Sequence, residues 1–149
     1  MKINCIPHPN FRYFDSEKDG INYVKELYSR DPHRLIYVKA SGLAAGKGAL
    51  RSENLEQAIR NIGRMREFPD GAGDVFLVEE GLIGEEFSYY AISDGATYRI
   101  FKSAQDSKTV FNFDEGDQTG GMGSVSPAMV TSPIAEEIDS KLIKTAIKG

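Results

Sequence analysis

Cysteine is almost missing from this chain. Cys5 stands alone among 149 residues, so no internal disulfide can form and no cysteine cluster can hold a metal. Its simplest role is that of a small apolar residue near the core. Long apolar runs are missing too, which excludes a bilayer-spanning helix. No charged-then-apolar leader opens the chain, because residues 1–9 are short and interrupted by polar groups; the expected compartment is the cytoplasm. An excess of positive charge is also lacking. Lys and Arg number 18 against 22 Asp and Glu, a net charge of −4, which argues against a nucleic-acid or acidic-membrane partner. His8 and His33 sit beside prolines or charges in expected loops and have no partner at catalytic spacing, so both read as surface residues. The length suffices for one or two small domains with a real core.

What is present alternates between strand and helix signals, and no repeat is evident. Residues 11–14 (FRYF) read as a strand. Ser16 suits the N-cap of a helix whose Ile21, Val24, Leu27 and Tyr28 recur at helical spacing. Asp31-Pro32 marks a turn, residues 35–39 a second strand, and GALRS a short returning strand. Asn54 and Gln57 form a capping pair for a second helix with Leu55, Ala58, Ile59, Ile62 and Met65 on one stripe. Residues 67–74 (EFPDGAGD) have loop composition, and residues 75–79 form another strand. FSYYAIS, an Asp94-Gly95 turn and TYRIF make a hairpin. Residues 105–127 show no periodicity and carry clustered glycines, as expected of a long binding loop. Ser132-Pro133 then opens a helix with Ile134, Ile138, Leu142 and Ile143 as its apolar side. The pattern is α/β or α+β.

The stretch LIYVKASGLAAGKGALRS carries the first chemical signal. A loop of Gly and Ala lets backbone N–H groups approach an anion without obstruction by Cβ atoms. Lys39 at the strand end and Lys47 in the loop add positive charge. A Walker A loop needs four residues between its glycines and Ser or Thr after the lysine. Here three residues separate Gly42 from Gly46, and Gly48 follows Lys47. Two strands joined by such a loop suggest a flap over the phosphates of ATP, or else a flexible hairpin with solvated lysines.

Downstream, VFLVEEGLIGEEFSYY places Glu79, Glu80, Glu85 and Glu86 around a strand that ends and restarts. Main-chain groups there could meet an adenine, and a carboxylate could accept from ribose hydroxyls; a solvated acidic turn has the same composition. The string TGGMG offers consecutive N–H groups to an anion, as a nest does, or forms an ordinary turn.

Taken together, YVKASGLAAGKGAL, VEEGLIGEEFS, SAQDSK and QTGGMGSVSPA resemble, in order and spacing, the motifs of the phosphoribosylamine–glycine ligase (glycinamide ribonucleotide synthetase) family, ATP-grasp enzymes of purine synthesis. The resemblance runs over essentially the whole chain. It implies an α+β ATP-grasp fold, with residues 1–80 as the small lid subdomain and residues 81–149 as part of the large one. It implies ATP, glycine and 5-phosphoribosylamine as ligands. Lys39 would meet the α-phosphate, and Gly42, Gly46, Lys47 and Gly48 would fold over the β- and γ-phosphates. Glu79, Glu80, Gly81 and Leu82 would form the adenine hinge, and Glu86 would bind the ribose. Asp106, Lys108 and the string Thr119, Gly120, Gly121, Met122 and Gly123 would face the substrates, with Lys47, Lys108 and Asp106 as the catalytic side chains.

Three positions depart from the family pattern. Ser107 stands where histidine is usual, Gln118 where asparagine is common, and Gly81 where a bulky apolar residue is frequent. Family proteins are longer on both sides, so the chain reads as a portion, inactive alone, whose partners include the missing domains or a complementary chain. Magnesium is expected for the whole enzyme, but its ligands belong to an EFN segment that this chain lacks, so no residue here is assigned to metal. A non-catalytic nucleotide-binding module and another ATP-grasp carboxylate–amine ligase are the alternatives.

Overall fold

In the computed structural model, which describes residues 5–111, 116 and 118–148, the chain divides into two compact units. One comprises Pro9–Ile83 with Thr109–Gly120; the other comprises Met1–His8, Gly84–Lys108 and Gly121–Gly149.

The first unit is built on a four-stranded antiparallel sheet in the order β1-β4-β2-β3, formed by β1 (Phe11–Phe14), β2 (Ile36–Ala40), β3 (Ala49–Ser52) and β4 (Phe76–Glu80). Alternation sends Ile36 and Val38 of β2, and Phe76 and Val78 of β4, into the core. Helices α1 (Glu17–Arg30) and α2 (Leu55–Arg64) cover that face with Val24, Tyr28, Ala58 and Ile62. Each fully buried aliphatic side chain contributes about 1.5–3 kcal/mol. Both caps form as the sequence implies. The Ser16 hydroxyl accepts from the Asp19 N–H at 3.3 Å. The Asn54 side chain accepts from the Gln57 N–H at 3.0 Å, and the Gln57 amide oxygen accepts from the Glu53 N–H at 2.8 Å. Strands β2 and β4 each begin and end one residue later than expected; α2 ends at Arg64, so Met65, expected on its stripe, opens a 3₁₀ turn (Met65–Glu67), and a second 3₁₀ turn (Pro69–Gly71) lies in the expected loop.

The second unit carries the hairpin of β5 (Ala91–Ser93) and β6 (Tyr98–Ile100). Its connection is a four-residue loop closed by Asp94, whose carboxylate accepts from the N–H groups of Ala96 and Thr97 at 2.9 and 2.7 Å. These bonds hold the Asp94 carboxyl below its ordinary pKa.

Three expectations are corrected here. Much of the segment expected to be a structureless loop is a ladder of β7 (Gln105–Thr109) and β8 (Gln118–Val125); residues 112–115 and 117 lie outside the described set. No residue of β7 is fully buried, so the period-two apolar signal never arises. The C-terminal α-helix does not open at Ser132-Pro133. A 3₁₀ segment spans Met129–Ile134, helix α3 covers Ala135–Ile138, a π-turn covers Asp139–Ile143, and α4 covers Lys144–Lys148. Pro133 cannot donate a backbone bond, and Thr131 is already fastened elsewhere: its hydroxyl donates to the Ala128 carbonyl and lies 2.7 Å from that of Ser103. Cys5 is likewise exposed rather than near the core, because it precedes the first strand.

Candidate functional site

The glycine loop leaves β2 at Ala40 and returns at Ala49. The Ala40 N–H donates to the Gly48 carbonyl at 2.8 Å, closing its neck. Its first half is pinned to the 69–74 turn region: the Ser41 N–H donates to the Val75 carbonyl at 2.9 Å and the Gly42 N–H to the Ala72 carbonyl at 2.8 Å. A Cβ on Gly42 would stand 2.6 Å from the Ala72 Cα, so only glycine allows this approach. The tip is a turn closed by the Lys47 N–H on the Ala44 carbonyl at 2.9 Å. Its two central residues, Ala45 and Gly46, have φ of 48° and 76°. Leu43 and Lys47 project into solvent, and among the described residues Lys47 has no ion pair. The loop is therefore anchored at its root and bare at its tip, with a free ammonium there.

Beside it, Gly120 approaches closely. A Cβ built on Gly46 would come within 3.3 Å of the Gly120 Cα. Gly46 and Gly120, one from each of the glycine-rich strings read separately from the sequence, thus approach each other within the first unit.

Lys39 lies on the sheet face opposite the core. Register places Tyr37 across from Glu79 and Lys39 across from Leu77. The Lys39 ammonium donates to the Glu79 carboxylate and sits 5.7 Å from the centre of the Tyr37 ring. Two expected nucleotide contacts, one cationic and one anionic, therefore hold each other. Along the expected hinge, the Glu80 N–H donates to the Asn10 carbonyl at 2.8 Å and the Gly81 N–H to the Leu35 carbonyl at 2.9 Å. The Glu80 carboxylate accepts from the Asn10 amide at 2.8 Å. Glu80 and Gly81 thus face inward with their N–H groups, and Leu82, 67% exposed, begins the stretch open to solvent.

In the second unit, Lys108 donates to the Glu86 carboxylate at 2.5 Å. That hydrogen bond, helped by the charges of Glu86 and Asp106 and opposed by burial, raises the Lys108 pKa. Reciprocal bonds between Ser88 and Ala104, at 2.6 and 2.9 Å, keep the two segments side by side. Asp106 and Lys108 share one face of β7, and Ser107 points the other way and is exposed. Thr119 and Gly120 fall in the first unit, Gly121, Met122 and Gly123 in the second. Of the departures, Gln118 has its side chain outside what is described. His33 is exposed and His8 half-buried.

Sequence reasoning overlooked Tyr37, Asn10, Ala72 and the Glu79 side chain. The i, i+2 spacing of Tyr37 and Lys39 on one strand was a visible signal for Tyr37; the others depend on which strands become neighbours. Among the described residues, no three His, Cys, Asp or Glu side chains gather where a metal could sit, and no helix is long and apolar enough to cross a membrane.

Comparison with known proteins follows the same lines. The profile of the family described as "Phosphoribosylglycinamide synthetase, ATP-grasp (A) domain" matches residues 1–149. A phosphoribosylamine–glycine ligase of Rhodopirellula baltica is 44% identical over 131 residues, covering 84% of this chain and 29% of that protein. The corresponding protein of Chlorobaculum tepidum is 41% identical over 154 residues, covering 100% of this chain and 35% of its own length. The crystal structure of phosphoribosylamine–glycine ligase from Thermotoga maritima superposes with a TM-score of 0.75 at 27% identity, over 97% of this chain and 36% of that one. The chain thus spans about a third of each of these relatives.

Proposed function

Since the chain belongs to the phosphoribosylglycinamide synthetase ATP-grasp (A) domain family, we propose that it forms the nucleotide-binding portion of an ATP-dependent ligase that joins glycine to 5-phosphoribosylamine. In that reaction a glycine carboxylate oxygen attacks the γ-phosphorus of ATP, the bond from that phosphorus to the bridging oxygen breaks, and ADP leaves. The amine of phosphoribosylamine then attacks the acyl carbon of glycyl phosphate, and inorganic phosphate departs as glycinamide ribonucleotide forms.

The chain's share is positioning and charge stabilisation. Lys39 meets the α-phosphate, and the 42–48 loop with Lys47 covers the β- and γ-phosphates. The main chain of Glu79, Glu80, Gly81 and Leu82 borders the adenine, and Glu86 takes the ribose hydroxyls. Asp106, Lys108 and residues 119–123 serve the substrate side. Residues 1–80 act as the lid subdomain and residues 81–149 as part of the large one, with the remaining domains and a magnesium ion supplied by the rest of the enzyme. The reaction is placed in the cytoplasm.

The observation that carries this reading is the anchored, bare glycine loop with Lys39 at its root and Lys47 at its tip. Titration calorimetry of the chain with ATP and ADP tests it, with saturable binding expected and an absence of binding overturning it. For the ligase, ADP formation by the full-length protein should require glycine and phosphoribosylamine together. Equal turnover with a different carboxylate and amine would favour another ATP-grasp ligase.

A further inference from the structure

We propose that the Glu79 carboxylate is a positioning residue for Lys39, holding its ammonium at the root of the glycine loop before and after nucleotide binds. The inference rests on the nucleotide-binding reading above and gives a side-chain role to a residue which that reading uses through its place in the adenine hinge.

The two residues sit on adjacent strands, on the face away from the core, as a diagonal pair offset by two residues in register. The Glu79 side chain is 17% exposed and that of Lys39 36%, so the pair is half-withdrawn from water. A lysine stem has four rotatable bonds and gives up much rotamer freedom when its ammonium is fixed. Here the Glu79 carboxylate and the nearby Tyr37 ring restrict it. That ordering is completed during folding, so binding does not have to supply it. An ammonium also has three N–H donors. One serves Glu79, leaving two for phosphate oxygens, so Lys39 can bridge carboxylate and phosphate without releasing either. The opposing effect is repulsion between the carboxylate and the phosphates, which makes the sign of the Glu79→Ala effect diagnostic.

The experiment measures dissociation constants for ADP and adenosine at low salt, together with the thermal midpoint of each ligand-free protein. Glu79→Ala should weaken ADP about tenfold and leave adenosine unchanged. Glu79→Gln, which keeps an oxygen acceptor of the same shape, should return ADP affinity to within about twofold of wild type. In a Lys39→Ala background, Glu79→Ala should add nothing. If Glu79→Ala does not fold, Glu79→Asp, which withdraws the charge by one methylene, should weaken ADP about threefold with the same sparing of adenosine. The proposal is overturned if Glu79→Ala tightens ADP or leaves it unchanged, if ADP and adenosine weaken equally, or if the two substitutions add in full. Absence of ADP binding by wild type, or a silent Lys39→Ala, removes the nucleotide reading and this inference with it. An effective Lys39→Ala beside a silent Glu79→Ala removes the positioning role alone.

Discussion

The Cβ that Gly81 lacks would stand 2.3 Å from Cγ of Leu35, while the Gly81 N–H donates to the Leu35 carbonyl. Leu35 fills the space that a hinge side chain would occupy, which gives a physical reason for glycine where the family often carries a bulky residue. Gly81→Ala should therefore destabilise the protein by about 1–3 kcal/mol through overpacking. Urea titration in a Leu35→Ala background should recover part of that loss; full additivity of the two substitutions would show that they do not share the space.

Lys47 is exposed, and among the described residues no carboxylate meets it. Its removal should leave the fold alone and change only ligand binding. Lys47→Ala is expected to shift stability by less than about 0.5 kcal/mol and to weaken ATP about tenfold. Calorimetry and thermal melting on the same samples check both halves, and an unchanged ATP affinity would remove the flap assignment.

A closed ring of hydrogen bonds organises the second unit. The Ala128 N–H donates to the Ser103 hydroxyl at 3.2 Å, and the Thr131 hydroxyl donates to the Ala128 carbonyl at 2.8 Å. The remaining proton runs from Ser103 to Thr131 across 2.7 Å. Both side chains are buried. Thr131→Val leaves the Ser103 hydroxyl without an acceptor and should cost about 1–3 kcal/mol. The Ser103→Ala and Thr131→Val double variant should lose less than the sum of the singles, read from denaturant midpoints.

Local features were legible in the sequence. Val24 and Ile62 sit on helices with one covered face, so their spacing betrays the helices. The glycine loop is legible because its meaning lies in consecutive small residues. The β7–β8 ladder is not, because no β7 residue is fully buried and so no alternation was imposed on the strand. The Lys39–Glu79 pair was also hidden. Its partners are 40 positions apart, and they meet only because β4 inserts between β1 and β2. Likewise Gly81 was visible as a departure, but Leu35 as its reason was not.

Tyr28 joins helix α1 to the strand that returns from the glycine loop. Its hydroxyl donates to the Ser52 carbonyl at 3.1 Å, and the Asn61 amide donates to the Ser52 hydroxyl at 2.9 Å. Burial, and then the negative charge of Glu53, push the Tyr28 pKa from 10.0 up to about 12. A raised value means that the folded state holds this proton more tightly than the unfolded chain does. The stabilisation is complete below pH 10.0 and disappears as pH rises toward about 12. Tyr28→Phe deprives the Ser52 carbonyl of its donor, so at pH 7 it should lower stability by about 1–2 kcal/mol. Phenylalanine has no proton to lose, so the gap between variant and wild type should close across that alkaline window. Denaturant titrations of both proteins at a series of pH values check this, because every other titrating group is common to the two. Parallel curves would mean that the phenol ionises in the folded protein as readily as in the unfolded chain, and that the node behind the loop is not closed to water.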